Sequence, residues 1–103
     1  NADYEIVCFH CQQAIEKYLK GFLIYETGEL QEGHSLLKLC KKASSYNANL
    51  KSFLKDMALV NTYYIETRYP AIDPMIVSDD DARECIKIVY SVIEEIEKSL
   101  DKK

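Results

Sequence analysis

Apolar side chains recur at helical spacing along nearly the whole chain, and no stretch alternates as a half-buried strand does. Val7, Cys11, Ala14, Tyr18, Phe22 and Tyr25 form a wide apolar stripe on a first predicted helix. Asp3 is a suitable N-cap ahead of Tyr4 and Glu5, and Gly28 a suitable stop shortly after Glu26. A polar link, Glu29 to Gly33, leads into a second helix that opens at His34 or Ser35 and turns Leu36, Leu37, Cys40 and Ala43 inward. Asn47 and Asn49 punctuate the next turn, and either can cap a third helix from about Leu50. Phe53, Leu54, Met57, Val60 and Tyr64 line it. Pro70 pushes Tyr69 towards an extended conformation, which ends that helix near Thr67 or Arg68. Tyr69 to Val77, with Pro70 and Pro74, then form an ordered loop.

Ser78 opens the last helix, with Asp79, Asp80 and Asp81 at the positive end of its macrodipole. Ala82, Ile86, Val89, Ile93, Ile96 and Leu100 follow at alternating spacings of four and three, the seam of a bundle helix. Ile88 and Val92 widen the seam. The pattern predicts an all-α fold, an antiparallel up-and-down four-helix bundle forming one domain over residues 1–103. The helices carry more apolar width than four helices of this length need to bury, which predicts a homodimer.

A polar row runs beside the first stripe: His10, Gln13, Lys17 and Lys20. An imidazole, an amide and two ammonium groups in line can bind anionic oxygen and hydrogen-bond to bases; they equally make an ordinary solvated face. In an antiparallel bundle this row can approach the end of the third helix, where Tyr64, Arg68 and Tyr69 stand. Arg68 offers a bidentate phosphate contact or a cation at a helix C-terminus, and Tyr69 a stacking surface. His34 serves either as a ligand contact or as a cap at the start of the second helix.

Composition narrows the classes. With 48% hydrophobic and 29% charged residues, three Gly and two Pro, the chain has a folded, helix-rich balance. It has no apolar run long enough to span a membrane, and no secretory signal is visible. The net charge of −4 argues against charge-driven coating of nucleic acid, although Lys38, Lys41 and Lys42 cluster and Lys51 and Lys55 follow. Cys8 and Cys11 share a helix face, but His10 points away from it, so reduced cytoplasmic thiols are expected ahead of a zinc site. No Gly-rich phosphate loop, nucleophile set or metal cluster appears, so no cofactor is expected.

The run Phe9-His10-Cys11-Gln12-Gln13-Ala14-Ile15-Glu16-Lys17-Tyr18-Leu19-Lys20-Gly21 resembles the signature helix of HEPN domains, small helical proteins of bacteria and archaea with some eukaryotic relatives. His34-Ser35-Leu36, Tyr63-Tyr64 followed by Thr67-Arg68-Tyr69-Pro70, and Ser78-Asp79-Asp80-Asp81-Ala82 fit the same family in the same order. The resemblance implies a helical bundle that dimerises. It also implies an additional amphipathic helix ahead of the signature helix, missing from a chain that starts at Asn1 without Met.

Many members of that family are ribonuclease toxins that carry Arg followed after four to six residues by His. Here the positions after Arg68 are Asp73, Pro74 and Met75, and those after Arg83 are Ile88, Val89 and Tyr90. No histidine follows His34, so no catalytic residue is assigned. The resemblance then implies the branch associated with small nucleotidyltransferases, a non-catalytic module that binds nucleotide or partners such an enzyme in toxin–antitoxin or related two-gene systems. His10, Gln13, Lys17, Tyr64, Arg68 and Tyr69 are the expected nucleotide- or phosphate-binding residues. The alternatives are an RNA-cleaving toxin with a divergent site and a purely structural dimerisation module.

Overall fold

The computed structural model describes residues 2–64 and 76–101. Four α-helices occur in this part: α1 (Ala2–Thr27), α2 (Leu36–Ala43), α3 (Leu54–Asn61) and α4 (Asp79–Asp101). A 3₁₀ segment (Ala48–Phe53) leads into α3, and there is no strand among the described residues. The fold is the all-α bundle that the periodicity predicts.

Local chemistry sets the boundaries. Asp3 and Glu5 occupy the first turn of α1, where negative charge suits the dipole. The helix ends on Gly28, whose φ of 75° lies in the left-handed region that a glycine adopts without a Cβ penalty. Ser35 caps α2, its Oγ accepting from the Lys38 N–H at 3.2 Å. Asn47 caps the 3₁₀ segment by accepting from Asn49 N–H at 3.0 Å. Its amide also donates to Glu95 Oε2 at 2.9 Å, so the connection between α2 and α3 is fastened to the later part of α4. At the start of α4 the capping is reciprocal: Asp81 N–H donates to Ser78 Oγ and Ser78 N–H to the Asp81 carboxylate, both at 3.0 Å.

The core joins all four helices. Cys8, Ile15, Leu19, Phe22 and Leu23 of α1 pack with Leu36, Cys40, Leu50, Met57, Val60, Ala82, Cys85, Ile88, Val92 and Ile96. Removing each larger aliphatic or aromatic side chain in this set from water is worth about 1.5–3 kcal/mol.

Four expectations need correction. Asp3, expected as the N-cap, lies inside the first turn of α1, which begins at Ala2. The buried arc of α1 is rotated from the expected stripe: Tyr18 and Tyr25 are exposed, while Gln12 and Glu16 are buried. The seam of α4 is rotated likewise, centred on Ala82, Cys85, Ile88, Val92 and Ile96, with Ile86 41% and Tyr90 71% exposed. Finally, α3 ends at Asn61, with Thr62 as its C-cap, short of the expected Thr67 or Arg68. The Asn61 side-chain oxygen accepts from Leu36 N–H at 3.1 Å, tying the helix end to the start of α2. Pro70 limits how far a helix can run, but it does not set where the helix stops. The loop expected around Pro70 and Pro74 lies almost wholly outside the described residues.

Candidate functional site

Gln12, Glu16 and Lys20 are spaced by four along α1 and so rise along one helix face. That face meets the start of α2 and the end of α3. Lys20 Nζ lies 3.0 Å from Glu16 Oε2, the favourable order of an acid preceding a base by one turn. Gln12 Nε2 lies within 3.2 Å of Glu16 Oε1, 3.3 Å of the His34 carbonyl and 3.4 Å of Asn61 Oδ1. With two protons for three acceptors, the amide shares at least one of them. Gln13 Nε2 donates to Gln12 Oε1 at 2.7 Å. Side chains from α1, α3 and the link before α2 thus meet in one polar cluster inside an otherwise apolar arc.

Glu16 is the centre of this cluster. Its side chain is 9% exposed, and His34 Nδ1 stands 3.0 Å from Oε2 and 3.2 Å from Oε1. Burial pushes the carboxyl pKa up, but hydrogen bonds from Lys20, His34 and Gln12, with the Lys20 charge, outweigh it and hold it below the ordinary value. Glu16 is therefore ionised at neutral pH and can only accept. The proton between it and His34 belongs to Nδ1, which leaves Nε2 as the ring nitrogen open to other partners.

Stacking fixes the imidazole further. The His34 and Tyr64 rings lie 4.6 Å apart at 19°, and Tyr64 lies 6.4 Å from Phe9 at 29°. His34 retains 46% exposure of its side chain. A partly open imidazole, oriented by a buried carboxylate and backed by an aromatic ring, can hydrogen-bond to an anion or a base edge.

Of the residues expected from sequence, Gln13, Tyr64 and His34 come together here. Lys17 is exposed, and so is His10, which stands against Phe9 at 5.7 Å and on the edge of a groove between α1 and α4. Arg68 and Tyr69 lie outside the described residues. Sequence reasoning missed Gln12, Glu16 and Asn61. The signal available was the Gln12–Glu16–Lys20 ladder set among Cys8, Ile15 and Leu19, polar groups that an apolar arc retains when they find partners.

The four cysteines are, by contrast, inert. All are buried and free. Burial pushes Cys11 and Cys40 to about 11, Tyr63 to about 12, and Cys8 and Cys85 upwards as well. Thiols so protonated are poor nucleophiles. Among the described residues no group of three His, Cys, Asp or Glu side chains could hold a metal ion, and no helix is long and apolar enough to cross a membrane.

Comparison with known proteins gives one match. The family model of the HEPN domain matches residues 1–99. Searches of curated proteins and of solved structures gave no match.

Proposed function

Because the chain belongs to the HEPN domain family, we propose that it acts as a non-catalytic module that binds a nucleotide and partners a small nucleotidyltransferase in the cytoplasm. The observation that carries this reading is in the sequence: the family's ribonuclease pattern needs a histidine after Arg68 or Arg83, and none follows His34. The cluster around Glu16 supplies a different kind of surface. It offers an oriented imidazole, a half-buried Tyr64 and the Gln13 amide, groups that bind more readily than they cut. Lys17 and Arg68 add phosphate contacts, Tyr69 a stacking ring, and His10 a polar group further along α1.

Purified protein leaves RNA intact under this reading. RNA degradation that disappears in Arg68→Ala would reverse it in favour of a divergent ribonuclease toxin.

The module works as a homodimer. Val7, Cys11 and Ala14 of α1 face Ile86, Val89 and Tyr90 of α4 across an open apolar groove of about 360 Å³. On ideal helix geometry Tyr18, Gly21 and Tyr25 continue the α1 side, and a Cβ built at Gly21 meets nothing within 4 Å. Part of the stripe that the sequence marks as apolar is thus left uncovered by the single chain: Tyr18 and Tyr25 are exposed and Val7 and Ala14 partly so, while Cys11 and Phe22 are buried. Light scattering at micromolar concentration is expected to report a dimer, and Tyr90→Lys a monomer of unchanged helicity. A strict monomer for the unaltered chain would count against the dimer.

A further inference from the structure

The lysines of α2 take no part in the cluster around Glu16. Lys38 and Lys42 are one turn apart and share a face of α2. With the link before the helix, that face walls a cavity of about 400 Å³, within the size range of small-molecule sites. Gln31, Glu32, Gly33, His34, Ser35 and Leu39 complete a wall that is half polar and half apolar. Lys42 Nζ donates to Gln31 Oε1 at 2.7 Å, and the Lys38 ammonium has no ionic partner among the described residues.

His34 is shared between this cavity and the Glu16 cluster. Its Nδ1 is committed to the carboxylate, so the group it can offer a ligand is Nε2. On the cavity wall two ammonium groups, Lys38 and Lys42, stand against one carboxylate, Glu32, in a chain whose net charge is −4.

We infer that this cavity holds the phosphate groups of a small phosphorylated ligand, with Lys38 and Lys42 as charge-assisted donors and, when the imidazole carries both protons, His34 Nε2 as a third donor. The inference deepens the nucleotide reading, on which the choice of ligand class rests, by adding Lys38 and Lys42 to the phosphate contacts proposed for Lys17 and Arg68. Glu32 opposes such a ligand, so neutralising it strengthens binding.

Calorimetric titration with inorganic pyrophosphate and with ATP tests the site. Both lysines are exposed, so Lys38→Gln and Lys42→Gln keep the fold, which circular dichroism verifies. Pyrophosphate is expected to bind the unaltered protein, and each lysine variant to weaken binding by about tenfold or more. Glu32→Gln is expected to tighten binding, and Lys51→Gln, on the 3₁₀ segment, to leave it unchanged. Absence of pyrophosphate binding at millimolar concentration, or binding indifferent to both lysines, overturns the inference. ATP binding that ignores Lys38 and Lys42 removes the cavity while sparing the nucleotide reading. Lysine-dependent pyrophosphate binding without ATP binding does the reverse.

Discussion

Glu16→Ala is expected to lower the unfolding free energy by about 2–3 kcal/mol at pH 7, read from the midpoint of a denaturant titration at unchanged slope. The carboxylate accepts from Lys20, His34 and Gln12, and no other acceptor in the cluster can replace it for all three. Gln12 is fully buried, so its amide loses a partner without gaining water. A fully buried ion pair broken on one side costs about 3–5 kcal/mol, but Lys20 and His34 keep some access to solvent, which lowers the figure. Glu16→Gln keeps the shape and should lose less.

The comparison of Glu16→Gln with the unaltered protein also has a pH signature. The carboxyl pKa is depressed in the folded state, so its contribution is fully present above the unfolded value, near 4.5. It is lost as pH falls from there through the lower folded value. The stability gap between the two proteins should therefore narrow as pH falls below 4.5. A gap that widens below pH 4.5 would mean that the carboxylate is a net burden.

How far the chain could be read from its letters depended on whether the signal was local. The Ser78 cap and the Gly28 stop rest on residues within a turn of each other, and the structure has them where the sequence placed them; the second helix, expected to open at His34 or Ser35, starts at Leu36 with Ser35 as its cap. Tyr63 is in the core, and Tyr64 is half-buried against His34. The rotation of the buried arcs was not legible, because it depends on partners distant in sequence. Gln12 and Glu16 look like surface residues until His34 and Asn61, 18 to 49 positions away, come to meet them. Once they are inside, Tyr18 and Tyr25 must turn outward, and α4 turns with them. The end of α3 at Asn61 has the same cause, since its partner is the N–H of Leu36.

The same separation explains why the candidate site was only half visible. Gln13, His34 and Tyr64 were each legible as polar or aromatic groups on separate helices, but the carboxylate that orients His34 was not. Burial selects Glu16 and Gln12, and burial is the property that a single sequence reports least directly.

Calorimetric titration with ATP and GTP tests most directly whether the chain is a nucleotide-binding module. Arg68 is the residue to change, because a guanidinium presents paired N–H groups to phosphate in a way that lysine does not. Arg68→Ala should weaken binding of whichever nucleotide the protein takes by about 1.5–3 kcal/mol, the worth of a hydrogen bond to a charged group. The unaltered protein is expected to bind at least one of the two at millimolar concentration or below, with its melting temperature unchanged by Arg68→Ala in the absence of ligand. If neither nucleotide binds at millimolar concentration while Arg68→Ala still lowers the melting temperature, Arg68 is structural and the nucleotide-binding reading is wrong.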